Sequence, residues 1–77
     1  MQNIHNSIFL KQLGARVREL RNERNLSQED LGYIIGNSGK QIGRIERGEH
    51  NVTSCMIYEI AKALKITLSE LYNFYYD

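Results

Sequence analysis

The sequence predicts an all-α fold, a compact five-helix domain of 77 residues whose second and third helices form a helix-turn-helix. Three observations predict it. Apolar residues recur at intervals of three and four along the chain, and there is no proline to interrupt them. Ser or Thr stands before several of these periodic runs, where a hydroxyl can accept an exposed backbone N–H. Gly32, Gly36, Ile42 and Ile45 fall where a steeply crossed helix pair needs, in order, a residue without bulk, a sharp turn and two apolar anchors.

Helix one is expected over residues 8–24, with Phe9, Leu13, Val17 and Leu20 on one face and Arg16, Arg18, Glu19 and Glu23 on others. It ends near Asn25. Helix two is expected over 28–35, because Ser27 can cap it and Glu29 and Asp30 suit the positive end of its dipole. Gly36 can take the left-handed conformation that stops a helix, and Asn37 and Ser38 continue the turn. Ser38 with Gln41 reads as a capping box opening helix three over 39–47, buried through Ile42 and Ile45 and closed by Gly48. Thr53 caps helix four over 54–64, where Ile57, Ile60, Ala61 and Leu64 share a face. Thr67 and Glu70 form another box, opening a fifth helix over 68–76.

Composition bounds what such a domain does. A chain this short buries only about 60% of its unfolded surface, so its stability is modest. Formal net charge is +1, but it is unevenly spread. Residues 1–48 carry eight Lys or Arg against five acids, and residues 49–77 carry two against four. A basic first part beside an acidic, aromatic second part suits contact with phosphate on one face and with protein on the other. Ordinary surface charge is the competing explanation. The lone Cys55 makes no intrachain disulfide and fits a reducing cytoplasm. No apolar run approaches the roughly 18 residues of a membrane span. A helix-turn-helix is the arrangement by which a small domain lays one helix in the major groove of DNA, so DNA binding leads the functional readings.

The segments Leu26–Gly32 (LSQEDLG), Ile42–Asn51 (IGRIERGEHN) and Ile60–Leu71 (IAKALKITLSEL) resemble the Cro/repressor, or Xre, family of transcription regulators. The resemblance runs from about Leu13 to Tyr72 and implies a lambda-repressor-like fold. Departures are Asn37 at an apolar turn position, Val52 where proline is common, and Lys65 where glycine often ends the fourth helix. Size and the EHNVTS stretch are similar to restriction-modification controller proteins, which bind operator DNA as homodimers and tune their own operon.

The resemblance further implies that helix three is the recognition helix. Lys40, Gln41 and Arg44 are then the direct base readers, because Arg suits guanine and Gln suits adenine. Gly39 and Gly43 let the backbone approach. Phosphate contact by Lys40, Gln41 and Arg44 is the alternative. Gln28 and Ser38 are implied phosphate contacts, as are Arg47, His50 and Asn51 beyond the recognition helix, joined by Arg16 or Arg18 from helix one. A plain capping role competes for the Ser27–Gln28 corner. Arg21 and Glu46 match a family ion pair with a structural role.

Aromatic crowding at the end of the chain marks Leu68, Leu71, Tyr72, Phe74, Tyr75 and Tyr76 as a candidate homodimer interface, with closure of the monomer core as the alternative. A partner protein, as for an antitoxin, is the rival reading of the same tail. No enzyme class is supported. His5 and His50 lack metal-ligand spacing, Gly39-Lys40-Gln41 lacks the rest of a phosphate-binding loop, and Cys55 has no evident His partner. No cofactor, metal or membrane partner is expected.

Overall fold

The computed structural model describes residues 6–74. Five helices follow one another: α1 (Ser7–Glu23), α2 (Gln28–Ile34), α3 (Gly39–Glu46), α4 (Ser54–Ala63) and α5 (Leu68–Leu71). No strand occurs among the described residues.

Each helix begins at a side-chain cap. Asn6, Ser27, Ser38, Thr53 and Thr67 accept the N–H of the residue three positions on. Full capping boxes form at Ser27 with Asp30 and at Thr67 with Glu70. The box expected at Ser38 is only half made. Gln41 donates its N–H to Ser38 Oγ at 3.2 Å, but the Ser38 N–H is taken by Asn37 Oδ1 at 2.9 Å rather than by Gln41. The polar residue at this turn position thereby gains a local purpose.

Four helices end one residue before their expected boundaries, for a common reason. Arg24, Ile35, Arg47 and Leu64 are C-caps, and each is followed by a residue with positive φ: Asn25 at 55°, Gly36 at 72°, Gly48 at 75° and Lys65 at 59°. The next N–H then reaches back to the third-last helical carbonyl, as in Leu26 to Arg21 and Ile66 to Ala61. The fifth helix departs further from its expected span of 68–76. It stops at Leu71, and the chain turns through Phe74 as Tyr72 stacks on Phe9 and Phe74 packs against the same ring at a tilt, with centroids 6.2 and 5.9 Å away. Residues 75 and 76 of that expectation lie outside the described residues.

The core gathers Leu13, Val17 and Leu20 of α1, Leu31 of α2, Ile42 and Ile45 of α3, Ile57, Ile60 and Ala61 of α4, Leu64 and Leu71. Leu71 is fully buried, so this member of the expected dimer interface is core instead. Tyr72 and Phe74 are half-buried against it and cover the monomer. Two close approaches set the position of α3. A Cβ on Gly32 would lie 2.5 Å from the Ser38 carbonyl carbon, and one on Gly14 would lie 2.5 Å from the Glu46 carbonyl oxygen. Only residues without side chains let α2 and α1 meet the two ends of α3 this closely.

Candidate nucleic-acid interface

α3 has two chemically distinct sides. Its inner side buries Ile42, Ile45 and Glu46, while Lys40, Arg44 and Arg47, spaced four and three apart, form one exposed stripe. Among the described residues neither Lys40 nor Arg44 enters an ion pair. Arg47 does, donating to Glu49 at 2.9 Å, which partly offsets its charge. Gln41 is half-buried at the edge of the stripe. Two cations outside any ion pair, on a helix gripped from behind, are open to an anionic or base-edge partner, although Glu49 lies near enough to Arg44 to feel its charge.

Gly39 and Gly43 differ from their expected place on this surface. A Cβ on Gly39 would meet the Glu29 backbone at 3.0 Å, and one on Gly43 would meet the Arg47 guanidinium at 3.1 Å and the Gln28 carboxamide at 3.4 Å. Both glycines turn toward α2 and its overlying side chains. Their smallness serves helix packing.

Behind the stripe lies a charged hub. The side chain of Glu46 is fully buried and accepts from Arg21 Nε at 2.6 Å, Arg21 Nη2 at 3.1 Å, Gln28 Nε2 at 3.0 Å and Arg18 Nε at 3.3 Å. Arg21 also donates to the Leu26 carbonyl at 2.7 Å, tying α1 to the start of α2. Burial alone would raise the Glu46 pKa. The hydrogen bonds from Arg21 and Gln28 and the Arg21 charge outweigh it and hold the carboxyl below the usual glutamate value. The same pairing raises Arg21. Glu46 therefore stays ionised at neutral pH.

The other candidate residues divide. Arg18 is exposed and beside the hub. Arg16 is not available: its guanidinium donates to the Glu70 carbonyl at 2.8 Å and to Glu19 at 2.9 Å, so it ties α1 to α5. That removes it from the phosphate set. Ser38 is exposed at the N-terminus of α3, its hydroxyl engaged as the cap. His50 is half-buried and Asn51 exposed in the segment after α3, where Asn51 borders a cleft of about 420 Å³ shared with Asn6, Phe9, Val52, Ser54 and Tyr72.

On α4 and α5, Leu68 remains 45% exposed and is joined by Tyr58, 53% exposed, around a shallow cleft that Lys62 and Ile66 also line. Tyr58 escaped the sequence reading because it follows the buried Ile57 inside a strongly apolar run. Its exposure is set by which face of α4 meets α2 and α5. Tyr75 and Tyr76, also expected at an interface, lie outside the described residues. Among the described residues no group of three metal-ligating side chains is present, and no helix is long and apolar enough to cross a membrane.

Comparison with known proteins gives a consistent result. The family model HTH_3, helix-turn-helix, matches residues 17–71. A control protein, C.SmaI, of Serratia marcescens is 44% identical over 59 residues, covering 77% of this chain and 70% of the relative. A transcriptional regulator in the ATPase CF(0) region of Rhodospirillum rubrum is 38% identical over 61 residues, and the matched part is 56% of its length. The chain thus spans little more than half of that relative. Among solved structures, the restriction-modification controller protein C.AhdI of Aeromonas hydrophila superposes with a TM-score of 0.79 at 41% identity, over 82% of this chain and 96% of the other.

Proposed function

This chain belongs to the HTH_3 helix-turn-helix family, and from that premise we propose that it is a transcriptional regulator that binds operator DNA as a homodimer. One observation carries the reading: the unpaired Lys40 and Arg44 on the open face of α3, whose opposite face is locked into the core. A helix held that way presents its side chains to base edges without first having to order them. Gln41 at the margin adds a second chemistry, Gln28 and Arg18 flank the stripe as phosphate donors, and Arg47 at its end does the same. Three long side chains read few base pairs, so DNA shape and pairing of two subunits supply the remaining specificity.

Exposed Leu68 and Tyr58 support a self-association surface on α4 and α5, remote in character from the basic stripe. Identity to the control protein C.SmaI and to the controller C.AhdI supports a role of the controller kind, acting on cytoplasmic DNA. Selection of bound sequences from a random pool of duplex DNA tests the proposal. Recovery of two related half-sites about one helical turn apart, in inverted orientation, is the expected result. A bound pool that stays random contradicts sequence-specific binding, and a single unpaired site contradicts the homodimer.

A further inference from the structure

Gln28 and Arg47 come from different helices, yet their polar ends converge over one point. The Gln28 carboxamide lies 3.4 Å, and the Arg47 guanidinium 3.1 Å, from where Gly43 would carry a Cβ. Glu46 lies one helical turn further along α3 and holds Gln28 through Nε2 at 3.0 Å and Arg18 through Nε at 3.3 Å. We propose that Glu46 is a positioning residue for DNA backbone binding: its carboxylate orients Gln28 and Arg18 beside Arg47, so that one phosphodiester meets preset donors where these side chains close over Gly43. The inference rests on the DNA-binding reading above and adds a role to a residue that cannot itself touch the nucleic acid.

The chemistry of the hub supports that division of labour. Glu46 has no exposed side-chain surface, so its negative charge never faces a phosphate. A carboxylate accepts and does not donate, so the Gln28 amide nitrogen, not its oxygen, must face it. One N–H of Gln28 is thereby engaged and the other is left to point elsewhere. Arg18 uses Nε on Glu46, while its side chain stays 57% exposed. Net charge at this corner is small, because Glu46 opposes Arg18 and Arg21 and Glu49 opposes Arg47. Orientation therefore does more here than charge.

Ionisation follows the same logic. Because Glu46 is held ionised, the Gln28 amide is oriented in the free protein, before DNA arrives. Ordering lost on binding is then small, which is how a single neutral amide becomes an effective phosphate ligand.

The test combines a spectroscopic and a binding readout on the full chain. In the 15N spectrum of the free protein, the Gln28 side-chain NH2 should be protected from exchange relative to that of exposed Gln12, and Glu46→Asp, which withdraws the carboxylate while keeping its charge, should remove that protection. Affinity for a selected duplex is then measured for wild type, Gln28→Ala, Glu46→Asp and the double variant, at a temperature where each is folded. Each single change should weaken binding by about tenfold. The double variant should be weaker than Gln28→Ala by clearly less than the loss that Glu46→Asp causes alone, because only the Arg18 share of the Glu46 effect remains, and Gln28→Ala, which removes no charge, should leave the salt slope unchanged. Fully additive losses, or a Gln28 amide as free as that of Gln12, overturn the positioning role. If Glu46→Asp does not fold, the wild-type amide protection together with the affinity lost in Gln28→Ala decides. Failure of the wild-type chain to bind any duplex sinks the DNA-binding reading instead, whatever the Gln28 amide shows.

Discussion

The Ser38 carbonyl carbon lies 2.5 Å from the place where Gly32 would carry a Cβ, closer than two such carbons can pack. The turn of the helix-turn-helix is closed on that contact. A side chain there must push α3 away from α2, and with it the stripe that α3 displays.

Gly32→Ala is therefore expected to destabilise the fold by roughly 1–3 kcal/mol, the cost of overpacking against backbone that cannot rotate aside. For a domain this small that is a fall of several degrees in melting temperature. Thermal unfolding followed by circular dichroism checks it, and an unchanged midpoint would show that the helices have slack at this crossing.

Lys65 is in the left-handed region, φ 59°, at the end of α4. Asn25 shares that conformation with a side chain that tolerates it, whereas Lys65 has no such allowance. Lys65→Gly should raise stability by about 0.5–1 kcal/mol, the relief of a Cβ clash less the added freedom of the unfolded chain. Urea unfolding of the two proteins measures the difference. A loss of stability would mean that the lysine stem contributes packing worth more than the strain.

Acid should destabilise the protein in a defined direction. Glu46 is held below its usual pKa of 4.5 by Arg21 and Gln28 despite its burial. The resulting stabilisation is fully present above that usual value and is lost as pH falls through the lower, folded-state value. Asp30 and Glu70, lowered by the backbone and hydroxyl of their caps Ser27 and Thr67, act in the same sense. Urea midpoints measured from pH 7 down to pH 3 should be flat at first and then decline below about pH 4.5. A midpoint that rises on acidification contradicts the hub.

Much of this architecture was legible in the sequence, and the reason is locality. Ser27, Thr53 and Thr67 cap their helices through atoms three residues away, and Gly36 closes a helix through its own φ, so residue identity alone indicates each. What was not legible depends on long-range packing. Gly14 carries no signal of its own in the sequence, and its purpose shows only in the Ile45 and Glu46 backbone packed against it. Arg16 and Arg18 are interchangeable on paper, yet one faces Glu70 and the other Glu46 because of how α1 is rotated in the bundle. The aromatic tail reads as an interface because nothing in the linear sequence says that Phe9, some sixty residues earlier, receives Tyr72 and Phe74.

Leu68 and Leu71 belong to one four-residue helix and should behave in opposite ways. Leu71 is fully buried, so Leu71→Ala should cost about 2–5 kcal/mol of monomer stability. Leu68 is exposed, so Leu68→Asp should leave the monomer fold within about 0.5 kcal/mol and weaken self-association. Sedimentation equilibrium at several concentrations reads the second effect. Undiminished association in Leu68→Asp excludes α5 from the interface.

The central claim is that the open stripe of α3 reads bases, and Arg44 tests it most directly. Affinities of wild type and Arg44→Ala are measured at fixed salt on the selected site and on a scrambled duplex of the same length. Loss of a base contact should cut the preference for the selected site by about 1–3 kcal/mol while leaving scrambled-duplex binding nearly intact. An equal loss on both duplexes would make Arg44 a phosphate contact and contradict the claim.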